Sequence, residues 1–333
     1  MSNPKIPTDE EIGQLIDALV LYLPGLISDL FGEKVPTMEL TKEQRTEMVP
    51  KLREIFIRFQ NVEQLKLEYR EPAATHEEWR SRLDKMSSEF APIAEIPEGM
   101  HFAEYLRQSY ALFMISPLSV DFFKDTNYSR CVEAIDQISR KAFDLKQTLE
   151  FDELFNQALG SSDVRPVLQS YISSFNKRCE LLREKTGHSL EKKDIDELIE
   201  IYRAVSGDFE KAARLSVGMF EILEGKKADY AKLSSYPFAN NIQFLRNRND
   251  VLVHDFSSII RNSIAHGNSF ISISNESVTF SDREKTEVVS FADFLLKCKM
   301  LIASTTALTL APAVFMHRRW DIIWQRYSSG SSS

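Results

Sequence analysis

The chain has 333 residues, of which 43% are hydrophobic and 27% are charged, a balance that is typical of globular proteins and excludes wholesale disorder. With only 11 glycines and 12 prolines, the sequence favours long regular elements over a turn-rich all-β fold. The three cysteines, Cys131, Cys179 and Cys298, are widely spaced and form no CxxC pair. This pattern argues against a disulfide framework or a zinc site, and it predicts reduced core thiols in a cytoplasmic protein.

The net charge of −8 is unevenly distributed along the chain. Residues 240–330 contain 10 Lys and Arg against 8 Asp and Glu, whereas residues 1–239 contain 31 against 41. Because an acidic surface repels a phosphate backbone, we expect any contact with nucleic acid to involve the C-terminal part.

Two segments bear on targeting. The opening MSNPKIPTDEE has neither a basic nor an apolar segment, so it is not predicted to be a secretory signal. Residues 300–316 carry no charge, but they fall short of the roughly 20 residues of a membrane span. Because they also include several Ser and Thr residues and Pro312, we predict a buried core helix and no membrane association.

Helical periodicity dominates the first two thirds of the chain. Thr8 and Glu11 form a capping box before one amphipathic run, and Thr75 and Glu78 cap another. The predicted helices lie near residues 12–23, 52–62, 76–90, 101–115, 129–159, 163–185 and 194–223.

Two breaks suggest how the chain is divided. The segment APIAEIPEG, residues 91–99, holds two prolines and a glycine, and Gly160-Ser161-Ser162 is a second break. We therefore predict four regions: an N-terminal helical region, a helical connecting region, a C-terminal domain and a disordered tail. Their predicted bounds are residues 1–95, 100–160, 163–327 and 328–333.

The pattern changes after residue 254. Residues 254–266 read as a helix that ends at Gly267, with His254 and Asp255 near its cap. The following SFISISNESVTFS predicts a β-hairpin, to which residues 286–290 could add a third strand. Ser290 and Asp293 then cap a long apolar helix that is predicted to reach about Met316.

The residues with the clearest chemistry lie on the 254–266 helix. At about 100° per residue, Arg261, Ala265, Asn262 and His266 share the arc opposite the apolar residues. Arg261 offers a planar fork of donors to phosphate oxygens. His266 can exchange a proton with a ribose 2′-hydroxyl or a leaving oxygen near neutral pH. Asn262 can bind phosphate or hold the imidazole tautomer.

Arg-Asn-x-x-x-His-Gly on a late helix, followed by a short β insertion and a final apolar helix, resembles the HEPN family. The resemblance covers roughly residues 165–327, and residues 255–310 carry it by motif. It implies an all-α fold, a HEPN-like helical bundle with a small β-hairpin insertion, here with an additional N-terminal helical region.

In that family an Arg-(four to six)-His motif marks metal-independent endoribonucleases, usually dimeric, of toxin–antitoxin and antiviral systems. By resemblance, Arg261 stabilises phosphate charge, His266 is the acid/base group, and no cofactor or metal is needed. RNA is the expected substrate, a homodimer the expected assembly, and an antitoxin or regulatory protein a further partner. Relatives that a nucleotidyltransferase modifies have a tyrosine where this chain has Asn268, so this regulation is not expected.

Other interpretations remain open. Arg261 and His266 match the favoured charges of a helix C-terminus, and the chain could be an inactive HEPN-like dimerisation and binding module or an unrelated helical scaffold. Basic residues elsewhere extend the predicted nucleic-acid surface. They are Arg246 and Arg248 before the motif helix, and Arg318 and Arg319, which precede aromatic residues that could equally serve packing.

Overall fold

The protein is mostly helical and has one small antiparallel sheet of three strands, which confirms the predicted fold class at this level. The structure is a computed structural model, and it forms two compact units: residues 1–113 with 316–333, and residues 114–315. It describes residues 8–10, 12–13, 16, 41–68, 76–90, 96–119, 123, 125–160, 175 and 177–329. The four predicted regions stay a prediction.

The first unit is built from long helices: α1 (Lys42–Glu68), α2 (His76–Phe90), the first part of α3 (Phe102–Ser119) and the last part of α11 (Ala311–Ser329). The amphipathic run predicted on α2 packs into a core cluster. Its buried members are Trp79, Leu83, Met86, Phe102, Ala103, Trp320 and Ile323. The caps predicted at Glu11 and Thr75, and most of the helix predicted over 12–23, lie outside the described residues.

The second unit contains most of the remaining helices. They are α4 (Tyr128–Asp144), α5 (Thr148–Gly160), α6 (Lys192–Leu223), α7 (Tyr230–Ser235), α8 (Phe238–Arg246), α9 (Ser258–His266) and α10 (Phe291–Thr309). Residues 177–185 are also helical, and the start of the helix predicted at residue 163 lies outside the described residues. A 3-10 turn, Asp250–Val253, precedes α9.

Several helix bounds differ from the prediction. The helix predicted over 52–62 extends over Lys42–Glu68 and contains Pro50. The helix expected over 129–159 is interrupted at 145–147, where Lys146 adopts φ 58° and Gln147 N donates to Ala142 O at 2.8 Å, closing the helix end. Helix α9 begins only at Ser258. The last long helix ends at Thr309 and is followed by α11, because Pro312 has no N–H to donate to a preceding turn.

The cap of α9 was also predicted wrongly. Ser257, and not His254 or Asp255, is the N-cap residue, and its Oγ accepts from Ile260 N at 3.3 Å. Two further caps are confirmed. Gly267 ends α9 in the left-handed conformation with φ 69°, and Ser290 Oγ accepts from Asp293 N at 3.1 Å at the start of α10.

The sheet follows α9 directly and confirms the hairpin and the third strand. Its strands are β1 (Ser269–Ser272), β2 (Ser277–Asp282) and β3 (Lys285–Ser290), in the order β1-β2-β3. Val278, Phe280 and Val289 are buried, whereas Phe270 and Val288 are exposed. The period-2 alternation therefore places one face of the sheet on the core and leaves the other open.

Helix α10 supplies much of the apolar interior of the second unit, as predicted for residues 300–309. The three cysteines are buried and form no disulfide among the described residues. Burial raises the pKa of the Cys131 thiol to about 12. No single helix in the described part of the chain has the length and apolar character of a membrane span, although α10 and α11 together, as a bent pair, meet these two criteria.

Candidate active site on helix α9

Helix α9 is held at its start by hydrogen bonds that reach far along the chain. Ser257 N donates to the Tyr202 hydroxyl at 3.2 Å, and Ser257 Oγ donates to Glu287 Oε2 at 2.7 Å. Behind the helix, Ile260 and Ile264 are buried in the core. These contacts set which side of α9 faces outward.

The end of α9 is also held by several hydrogen bonds. Gly267 N donates to Ile264 O at 3.3 Å, and Asn268 N donates to Ser263 O at 2.8 Å. The buried Ser263 hydroxyl donates to Asn268 O at 2.8 Å and accepts from Ser281 N at 3.0 Å. Because β2 is bonded to α9 through this hydroxyl, the last turn of the helix and the sheet form one framework.

Arg261 projects from the polar arc of α9, and 37% of its side chain is exposed. Its Nη1 donates to Asn262 Oδ1 at 3.1 Å, and its Nη2 lies 3.5 Å from Glu210 Oε2 on α6. Glu210 is held more tightly by Arg214, at 2.9 Å. The guanidinium therefore has two polar partners, of which the carboxylate is the weaker, and its central carbon lies 5.8 Å from the centre of the Phe238 ring.

Asn262 lies between Arg261 and the sheet. Its Nδ2 donates to Asp282 Oδ2 at 2.8 Å, while its Oδ1 accepts from Arg261. No hydrogen bond joins its carboxamide to the imidazole of His266 among the contacts of the described residues. The amide is thus used to orient the guanidinium.

His266 is the last residue of α9, and its side chain is exposed. Arg261 and His266 lie about 140° apart around the helix axis, with Ala265 and Asn262 between them. Within the described part of the chain, no side chain hydrogen-bonds to the His266 ring. The arrangement offers a half-exposed cation and an accessible imidazole from one short, rigid helix.

The other predicted RNA-binding arginines are engaged to different degrees. Arg248 Nε donates to Glu224 Oε1 at 2.6 Å, and its guanidinium lies 3.4 Å from the centre of the Phe244 ring. Arg246 is about half exposed, with Nε 3.6 Å from Asp250 Oδ1. The structure does not bring these two residues into contact with Arg261 or His266.

Arg318 and Arg319 belong to the first unit. Arg318 Nη1 donates to Asp321 Oδ2 at 2.9 Å, and the two side chains are only 15% and 14% exposed. Arg319 Nη1 lies 3.7 Å from Met316 Sδ. Each side chain is part-buried in contacts of its own unit.

Three residues of the site were not found by sequence reasoning: Glu210, Arg214 and Asp282. Glu210 and Arg214 have the i,i+4 spacing of a helical ion pair, but two other pairs on α6, Lys192/Asp196 and Lys193/Glu197, share it. Asp282 ends β2, and a correct hairpin register would have placed it near α9. Local spacing alone does not connect any of them to Arg261.

Two further findings complete the description of the site. Among the described residues, no group of three or more His, Cys, Asp or Glu side chains comes together as a metal site would require. No protein-family model, curated protein or solved structure matches the chain.

Proposed function

We propose that the C-terminal domain predicted over residues 163–327 is HEPN-like and that the protein is a metal-independent endoribonuclease. The observation that carries this proposal is the exposure of Arg261 and His266 on the same outward arc of α9, which is anchored at both ends. The proposed cellular role, as an antiviral-defence or toxin effector, rests on the motif resemblance alone.

The chemistry follows from the two side chains. One His266 imidazole takes the proton of a ribose 2′-hydroxyl, the 2′-oxygen attacks the adjacent phosphorus, and the bond from phosphorus to the 5′-oxygen breaks. Arg261 stabilises the charge that develops on the phosphate oxygens. The products are a 2′,3′-cyclic phosphate and a 5′-hydroxyl.

The leaving 5′-oxygen needs a proton, which one imidazole cannot easily supply while it acts as the base. In the proposed homodimer, the His266 imidazolium of the second copy donates this proton. The dimer cleft is part of the proposal, and its support is the exposure of His266 in the single chain.

The test is RNA cleavage by the full chain in the presence of EDTA, for the wild type, Arg261→Ala and His266→Ala. Each proton-transfer role is typically worth about 10²- to 10⁴-fold in rate, so we expect His266→Ala to lose at least the lower figure. His254→Ala is the matched control, because His254 is also exposed but lies outside α9. Cleavage that survives in His266→Ala would contradict the proposal.

The second candidate is a catalytically inactive HEPN-like module that dimerises and binds a protein or RNA partner. It is favoured by two observations: no described residue orients the His266 ring, and Glu210 faces the guanidinium of Arg261. This module would bind RNA or form dimers, measured by fluorescence anisotropy and analytical ultracentrifugation, without releasing cyclic phosphate. Arg261→Ala would then change binding only.

A further inference from the structure

The Asn262 carboxamide is a polar group with two different ends, and each end has one partner. Asp282 can only accept when ionised, so it requires the NH₂ end of the amide. The carbonyl end is thereby turned toward Arg261, whose Nη1 donates to it at 3.1 Å. With these partners, a flipped amide would lose both hydrogen bonds.

Asp282 is itself held in place relative to α9. Its neighbour Ser281 donates its backbone N–H to the Oγ of Ser263, which neighbours Asn262 and is fully buried. Two adjacent residues of β2 therefore contact two adjacent residues of α9. The bond from Ser281 N–H to the buried Ser263 hydroxyl fixes this end of β2 against α9. It thereby locates the Asp282 carboxylate within hydrogen-bonding reach of the amide, at 2.8 Å.

The opposite side of the guanidinium is less constrained. Arg261 Nη2 is 3.5 Å from Glu210 Oε2, at the limit of a hydrogen bond. Glu210 is also engaged by Arg214 at 2.9 Å. The shorter contact that orients the fork of Arg261 thus comes from Asn262 and, behind it, Asp282.

We propose that Asp282 is a positioning residue for the Arg261 guanidinium and that it acts through the Asn262 carboxamide. This inference rests on the proposed ribonuclease function for its effect on rate. A carboxylate repels a phosphate, so Asp282 does not bind the substrate. Its contribution is to hold the donors of Arg261 in the orientation that the transition state requires.

The first test compares Asp282→Ala, Asp282→Asn and the control Glu284→Ala in EDTA-resistant RNA cleavage. Misplacement of a positioned group by about 1 Å can cost about 10²-fold, so we expect Asp282→Ala to lower kcat by up to that factor with a smaller change in KM. Asp282→Asn keeps an acceptor oxygen and should restore most of kcat. Glu284→Ala removes one exposed negative charge from the same β2–β3 turn and should leave kcat unchanged.

The second test asks whether Asp282 acts through Asn262. In the Asn262→Ala background, Asp282→Ala should produce little further loss of kcat. The two substitutions can still lower the free energy of unfolding additively, because stability and rate need not be coupled in the same way. Additive losses in rate, or equal losses for Asp282→Ala and Asp282→Asn, would overturn the inference and leave a merely structural role.

A third measurement does not depend on activity. The Nε–H resonance of the Arg261 side chain reports the environment of the guanidinium. It is assigned in nitrogen-15 spectra of the full chain as the resonance that is lost in Arg261→Lys. We expect Asp282→Ala to shift this resonance and Glu284→Ala to leave it in place. An unmoved resonance would refute the positioning role, whereas His266-independent cleavage would refute the ribonuclease proposal itself.

Discussion

Two stretches of this chain contain the same kinds of residue but expose them differently. Arg261 and His266 lie on α9 of the second unit, with the Arg261 side chain 37% exposed and the imidazole accessible. In the first unit, Arg318 is 15% exposed and paired with Asp321, and His317 Nδ1 is 3.0 Å from Arg107 O. The same residue types therefore serve a candidate site in one unit and internal contacts in the other.

The difference arises from what surrounds each helix. The apolar side of α9 is covered by the core, so its polar arc is left to solvent. In the first unit, Trp320 is buried and packs edge-on against Phe102 at 5.8 Å between ring centres. A basic and aromatic sequence is thus not by itself a nucleic-acid surface, because burial decides whether its donors are available.

Asn262→Asp should have the greatest effect on the candidate site, because it places a carboxylate against Asp282 and removes the NH₂ donor between them. Like charges at hydrogen-bond distance repel, so the new carboxylate should turn away from Asp282 and draw the Arg261 guanidinium, to which it stays attracted, out of its orientation. We expect RNA cleavage to fall by about 10²-fold. Asn268→Asp is the control, since it adds the same charge to an exposed position just after α9. Equal losses in both variants would point to net charge as the cause.

Arg318→Ala tests the first unit, in which this arginine makes an internal contact. It removes one member of a mostly buried ion pair, so we expect the free energy of unfolding to fall by about 2 kcal/mol. This loss is smaller than that for a fully buried pair, because Asp321 still accepts a hydrogen bond from Gln325 Nε2 at 3.0 Å. All three tryptophans, Trp79, Trp320 and Trp324, belong to the first unit. Denaturation followed by tryptophan fluorescence therefore reports on this unit.

The control for Arg318→Ala is Arg246→Ala, which removes a half-exposed pair at 3.6 Å. Such surface pairs contribute about 0–1 kcal/mol, so little stability should be lost. Because Arg246 lies in the second unit, its unfolding is followed by circular dichroism. The same variants test the predicted RNA contacts, because removal of a phosphate-binding arginine weakens binding and lowers its salt dependence. A loss of RNA affinity without a loss of stability in Arg318→Ala would contradict the contrast between the units.

Much of the fold could be predicted because it depends on local signals. The αL glycine at 267, the Ser290 cap and the alternation in the strands all act within a few residues. The start of α9 also has a local signal, the Ser257 cap on Ile260 N, which the prediction missed in favour of His254 and Asp255. The bond from Ser257 N–H to Tyr202, 55 residues earlier, is contained in no local pattern.

In the candidate site, too, local features could be predicted from the sequence and long-range contacts could not. The shared arc of Arg261 and His266 follows from the helical repeat, and the sequence identified both residues. Their partners did not follow, since Glu210 is 51 residues from Arg261 and Asp282 is 20 residues from Asn262. A helical wheel shows which side chains share a face, whereas the groups that orient them come from other elements of the fold.

Gly267→Ala should lower the free energy of unfolding by a smaller amount, without removing a side chain of the candidate site. Gly267 has φ 69°, and an added Cβ would meet nothing within 4 Å, so the penalty is conformational and about 1–2 kcal/mol. Gly207→Ala is the matched control, because its Cβ also meets nothing but its backbone is helical, and it should stabilise slightly. Thermal unfolding of both variants checks this, and equal shifts in Tm would contradict the capping role of Gly267.

A further, weaker effect concerns His101, a part-buried histidine of the first unit. The ring of His101 stacks on Tyr327 at 4.3 Å, its Nδ1 accepts from Ala103 N at 3.1 Å, and its Nε2 is 3.5 Å from Asp84 Oδ1. Burial lowers the pKa of His101 below its ordinary value of 6.5, although Asp84 acts in the opposite direction. Between the lowered pKa and 6.5, the unfolded chain binds more protons than the folded one.

It follows that the contribution of His101 to stability is fully present above pH 6.5 and is lost as the pH falls through the window below it. His101→Asn should remove this dependence while keeping an acceptor for Ala103 N, since asparagine is a favoured N-cap residue. The measurement is the free energy of unfolding at several pH values, followed by tryptophan fluorescence. Because His266 is exposed and lies in the second unit, His266→Ala should leave the pH profile of the first unit unchanged. If the pH profile of stability changed in His266→Ala and not in His101→Asn, the pH response would come from His266. The contrast between a part-buried ring that contributes to stability and an exposed ring that does not would then be wrong.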